Sequence, residues 1–100
     1  MDNRVYGYAR VSTREQNEDR QLEALKVFGV PEQNIIIDKA SGKDTEREGY
    51  QYLKRQILRN GDTLVIKELD RLSRNKTDIK RELEEFKEMG IRVKILDIPT

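Results

Sequence analysis

The sequence predicts an α/β fold in three layers, a mostly parallel open sheet with helices on both faces. Two observations predict it. Short apolar runs alternate with stretches of helical period, in the order βαβαβαβ. Gly29 and Gly90 close two of the helical stretches, and Asn60-Gly61-Asp62 forms a turn between a third and the next run. Alternation of this kind joins parallel strands through crossover helices.

The elements follow in order. Residues 5–9, Val-Tyr-Gly-Tyr-Ala, form a buried strand in which Tyr6 and Tyr8 are core residues rather than stacking or nucleophilic ones. A helix spans 16–28 with Leu22 and Leu25 inward, opened by a capping box between Thr13 and Gln16. Ile35-Ile36-Ile37 is a continuous β-branched strand, expected to be covered on both faces. A helix over 46–59 places Tyr50, Leu53, Ile57 and Leu58 on one face. Residues 63–66 form the third strand. A helix over 76–89 turns Ile79, Leu83 and Phe86 inward. The last strand, 91–95, alternates apolar and basic residues, as expected of a strand with one wetter face at a sheet edge.

Composition narrows the chemistry. The 100 residues include no Cys, His or Trp. A Ser-His-Asp triad, a thiol nucleophile, a disulfide framework and a Cys/His zinc site are therefore excluded. Lys and Arg number 20 against 19 Asp and Glu, a net charge of +1, which argues against a dedicated polyanion binder on bulk charge alone. Neutrality conceals an asymmetry: residues 67–81 hold six basic against three acidic residues, and residues 82–88 hold four Glu against one Lys. By itself that pattern describes a solvated, salt-laced helix face. No apolar run approaches the ~20 residues of a membrane-spanning helix, and the N-terminus lacks a signal peptide, so the cytosol is the expected location.

In open α/β sheets, sites form at the carboxyl ends of the strands. Three such ends are rich in polar groups here. Arg10, Ser12, Thr13 and Arg14 follow the first strand; Asp38, Lys39, Ser41, Gly42 and Lys43 the second; Lys67, Glu68, Asp70, Arg71 and Arg74 the third. A hydroxyl among several guanidinium groups suits an anionic transition state at phosphorus. Two other readings stay open. Arg10 and Arg71 can serve as structural ion-pair partners of Asp38 and Asp70. Asp38, Glu68 and Asp70 can hold Mg²⁺ for a metal-dependent phosphodiesterase, although each has basic neighbours. Ordinary phosphate motifs are absent: Gly42-Lys43 hints at a P-loop, but Ile37 stands in place of its first Gly and Asp44 in place of Ser/Thr.

At these residues the sequence resembles the serine recombinases, the resolvase/invertase family. Tyr8-Ala9-Arg10-Val11-Ser12-Thr13 with Gln16 and Gln21 resembles the family's first active-site motif. Asp38-Lys39-Ala40-Ser41-Gly42, followed by Arg47, resembles its second, and Leu69-Asp70-Arg71-Leu72-Ser73-Arg74 its third. The resemblance implies a site-specific DNA recombinase core working without metal, cofactor or ATP. Ser12 would attack a DNA phosphodiester, forming a 5′-phosphoseryl link and releasing a 3′-hydroxyl. Arg10, Arg71 and Arg74 would bind the scissile phosphate, and Arg47 would assist. Gln21 would position the phosphate or the serine, and Asp70 would orient the arginines or move a proton. Asp38, Ser41 and Gln16 match further motif positions. Arg14 and Lys67 are expected to contact DNA phosphates.

The segment from Gln16 to Gln21 resembles the small resolvases and invertases rather than the large integrases. On the resemblance, residues 1–100 are a catalytic core lacking the long dimerisation helix and DNA-binding domain that would follow. DNA is the implied partner, with a homodimer and a synaptic homotetramer expected of the full-length protein. The implied setting is the cytoplasm of a prokaryote, on a plasmid, phage or transposon. A non-catalytic module of the same fold is the third reading, in which Ser12 has no role.

Overall fold

The computed structural model describes residues 4–12, 18–40, 48–68 and 75–96. The elements are β1 (Val5–Ser12), α1 (Glu18–Phe28), a 3-10 turn (Glu32–Asn34), β2 (Ile35–Ala40), α2 (Glu48–Tyr52) running into a π turn (Leu53–Ile57), β3 (Thr63–Ile66), α3 (Lys76–Glu88) and β4 (Arg92–Ile95). The four strands form one sheet in the order β2-β1-β3-β4, and all three pairings are parallel.

The pleat divides the core into two layers. Tyr6, Tyr8, Leu64 and Ile66 face Tyr50, Leu53 and Phe86, with Ile79 and Leu83 packed around them, so the second and third helical segments share one side. Ala9 and Val65 face Leu25 and Val30 on the other side, which α1 covers. Gly7 lies between the two tyrosines because α1 comes close there: a Cβ would sit 3.1 Å from Leu25 and 3.2 Å from Val30. Gly29 ends α1 in the left-handed region, φ 121°, where a side chain would be strained. Asp62 ties the amino end of the sheet. It is 5% exposed, and its carboxylate accepts the Arg4 N–H at 3.0 Å and the Arg59 N–H at 2.9 Å.

The element order and the parallel sheet agree with the sequence, and four details differ. β1 and β2 run on to Ser12 and Ala40, because their polar ends still pair with each other. β2 is an edge strand: Ile36 meets one core layer and Ile35 and Ile37 the other, yet with β1 as its one neighbour it is half-buried rather than covered. The helix expected over 46–59 is α-helical over Glu48–Tyr52 and then widens, the Leu58 N–H reaching the Leu53 carbonyl at 2.9 Å. On a continuous α-helix Leu53 and Leu58 would point about 140° apart; the π turn and the extended backbone at Leu58 let both be buried. The acidic stretch is not simply a solvated face either, since Glu82 and Glu85 both pair with Lys54. β4 is the other edge, with Arg92 and Lys94 exposed and Val93 and Ile95 against the core, the wetter face predicted from its alternation. Thr13 and Gln16, and with them the capping box, lie outside the described residues.

Candidate active site

β1 outruns its neighbour. It pairs with β3 as far as Tyr8 and Ile66, while its pairing with β2 continues through Arg10 with Asp38 to Ser12 with Ala40. Residues 9–12 therefore overhang β3. Main-chain groups freed from a ladder need other partners when buried, and at Arg10 a side chain supplies them. The Arg10 N–H donates to Gln21 Oε1 at 3.2 Å, and Gln21 Nε2 donates back to the Arg10 carbonyl at 3.1 Å. Gln21 is 4% exposed and lies one turn before Leu25 on the inner side of α1. Its amide thus acts on the strand's main chain and fixes the overhang at the residue two before Ser12.

Asp38 holds the adjoining strand end in a different way. Its carboxylate accepts the Tyr8 hydroxyl at 2.7 Å, the Gly49 N–H at 2.8 Å and the Tyr50 N–H at 3.0 Å. The latter two are first-turn N–H groups of α2 that have no partner within the helix. The helix approaches closely enough that a Cβ on Gly49 would lie 2.5 Å from Asp38 Oδ1 and 2.8 Å from Ile36 Cγ2. Asp38 therefore docks α2 onto β2 and β1.

Arg10, Ser12, Gln21 and Asp38 thus come to the same carboxyl edge of the sheet. Lys67 and Glu68 follow β3 at that edge, 3.5 Å apart as an ion pair. The Ser12 backbone closes β1. The Ser12 side chain and residues Thr13, Arg14, Gln16, Ser41, Gly42, Lys43, Arg47, Asp70, Arg71 and Arg74 lie outside the described residues. Among the described residues no three acidic side chains converge as a metal site, and no helix is long and apolar enough to cross a membrane.

Sequence reasoning missed the part played by two tyrosines. Tyr8 is a core residue, 0% exposed, but its hydroxyl reaches Asp38. A buried phenol calls for a partner, and Tyr8 pairs with Ile36, two residues before Asp38 on the same face of the neighbouring strand. That diagonal was the available signal. The Tyr50 contact depends on where α2 begins, which the pattern does not specify.

Comparison with known proteins finds matches over nearly the whole chain. Residues 5–100 match the family model described as "Resolvase, N terminal domain". The chain is 44% identical over 94 residues to a transposon Tn3 resolvase of Escherichia coli, covering 94% of this chain and 50% of that protein. It is 42% identical to a resolvase/recombinase of Pseudomonas putida, covering 94% and 51%. A solved serine recombinase from Sulfolobus solfataricus superposes with a TM-score of 0.77 at 28% identity, over 99% of this chain and 71% of that one. The chain spans about half the length of the curated relatives it matches.

Proposed function

The chain belongs to the resolvase family, matching its N-terminal domain, and from that premise we propose that it cuts and rejoins DNA through Ser12, as a site-specific recombinase of the small resolvase/invertase type. The observation that carries the reading is the pinned overhang of β1: Gln21 and the β2 pairing hold the strand end that bears Arg10 and leads to Ser12. A nucleophile on a rigid element is kept in place for in-line attack.

In the proposed reaction the Ser12 oxygen attacks the scissile phosphorus and the bond from phosphorus to the 3′ oxygen breaks. The strand leaves with a 3′-hydroxyl that has taken up a proton, and the 5′-phosphate stays on the serine. The reverse attack by a new 3′-hydroxyl reseals DNA and frees Ser12. The ester keeps the bond energy, so the reading needs neither a nucleotide nor another cofactor. With no His or Cys among the 100 residues, activation of the serine falls to cationic crowding or a carboxylate, and the arginines would supply the former. Arg10, Arg71 and Arg74, assisted by Arg47, take the role of offsetting charge on the phosphate oxygens. Asp70 orients them or moves the proton.

Gln21 and Asp38 act one step back, on the main chain of Arg10 and on the seating of α2. Ser41 and Gln16 complete the motif, and Arg14 and Lys67 bind flanking phosphates. DNA is the partner, a dimer and a synaptic tetramer are the working assemblies, and the bacterial cytoplasm is the setting.

The test uses the full-length protein and a duplex carrying its recombination site with a nick that traps cleavage. A covalent protein–DNA adduct is expected with and without EDTA, and it disappears in Ser12→Ala while DNA binding is kept. Adduct formation by Ser12→Ala, or its loss with EDTA, overturns the reading. The metal-dependent alternative instead predicts turnover only with Mg²⁺ and no covalent adduct at all.

A further inference from the structure

Two charged residues occupy inward positions on the helices that share one side of the sheet. Lys54, 9% exposed, follows Tyr50 by one turn, and Glu82 follows Ile79 by one turn on α3. Lys54 Nζ lies 3.0 Å from Glu82 Oε1, 2.7 Å from Glu85 Oε2 and 5.5 Å from the centre of the Phe86 ring. The Tyr50 hydroxyl donates to the same Glu82 oxygen. Burial pushes the Glu82 carboxyl up, but the hydrogen bonds from Tyr50 and Lys54, with the Lys54 charge, outweigh it and hold the group below its ordinary value.

A buried ion pair is weak support for stability, since apolar residues can fill the same space without desolvating charge. What the pair adds is direction. Tyr50 is bonded at both ends: its hydroxyl to Glu82 on α3, and its N–H to Asp38 on β2. Its ring meets Tyr8 edge-on, with centroids 5.2 Å apart, and Tyr8 bonds Asp38 as well. A continuous line of directed contacts therefore runs from α3 through α2 to the strand end beside Arg10. In the sequence, Arg47 immediately precedes α2 and Arg74 stands two residues before α3.

We propose that Glu82, held by Lys54, is a positioning residue for DNA cleavage: through Tyr50 it fixes Asp38, and with it the strand ends that bear Arg10 and Ser12. The inference rests on the recombinase reading above. It adds a group remote from the reacting atoms that governs their alignment.

The test compares Glu82→Leu, Glu82→Gln and Tyr50→Phe in the full-length protein, with Glu84→Gln on the exposed side of α3 as control. Three quantities are measured: amide hydrogen exchange at Gly49 and Tyr50, the single-turnover rate of adduct formation on saturating nicked DNA, and DNA affinity. Glu82→Leu should lower the rate about tenfold, with affinity within about twofold of the wild type. Glu82→Gln can still accept the Tyr50 hydroxyl and should recover part of the rate. Exchange at Gly49 and Tyr50 should quicken in the same order. If Glu82→Leu fails to fold, Glu82→Gln and Tyr50→Phe give the same comparison. Unchanged exchange in these variants, a wild-type cleavage rate, or a loss explained wholly by affinity overturns the inference. A wild type that forms no adduct instead overturns the recombinase reading, and the cleavage role of Glu82 falls with it.

Discussion

At the amino end of the sheet, Asp62 accepts the N–H groups of Arg4 and Arg59. At the carboxyl end, Asp38 accepts those of Gly49 and Tyr50, and the Tyr8 hydroxyl besides. The same residue type with the same two main-chain bonds serves different ends. Asp62 joins main chain to main chain where β1 and β3 begin, next to the Gly61 N–H bound to the Gly90 carbonyl. Asp38 joins a helix to two strands at the edge that carries Arg10 and Ser12. The first is a knot for stability, and the second sets a geometry. The difference teaches that a buried carboxylate's role is decided by what its partners carry onward.

Substitutions at the two ends should separate these roles. The largest loss of stability is expected from Asp62→Ala, which strands two N–H groups: about 2–3 kcal/mol in urea denaturation, with the folded fraction still cleaving DNA at the wild-type rate. A slower rate per folded molecule would break the contrast. Gly49→Ala should cost less, about 1–2 kcal/mol, because the added methyl must push α2 away from Asp38 and Ile36. Its cleavage rate should nevertheless fall by about tenfold, equivalent to about 1.4 kcal/mol of barrier. The smallest effect on stability is expected from Gln21→Met, which keeps the volume but leaves the Arg10 N–H and carbonyl without the amide. About 1 kcal/mol should be lost in the same denaturation experiment, and cleavage should slow while DNA affinity holds. Equal losses of rate and affinity would make Gln21 part of a DNA contact instead.

Much of this was legible in the sequence. Helical and strand periods placed the seven elements, because each buries an apolar face against the sheet. The alternation of Ile91-Arg92-Val93-Lys94-Ile95 foretold the half-exposed edge strand. The strand-end position of Arg10 and Ser12 followed from topology alone. Other features depend on contacts that no local pattern encodes. The widening of the helix at Leu53 follows from the need to bury both Leu53 and Leu58. The bond between Gln21 and Arg10 depends on how α1 crosses β1. Glu82 was read as part of a solvated helix face and Lys54 was not singled out, although each falls among the apolar positions of its own helix; a charge on that face of two neighbouring helices was the cue.

The position of β1 has a consequence for how the chain acquires this form. β1 is an interior strand that precedes both of its partners in the sequence: Val5 pairs with Thr63 and Gly7 with Ile35. A nascent chain must therefore carry Tyr6 without a strand partner, and Tyr8 with β2 alone beside it, until β3 has emerged. Non-local pairing of this kind slows folding and prolongs exposure of apolar surface. Synthesis beyond Ile66 is then the step at which β1 can gain its second neighbour, and an emerging chain cut short before it should remain open to proteolysis however well its helices form.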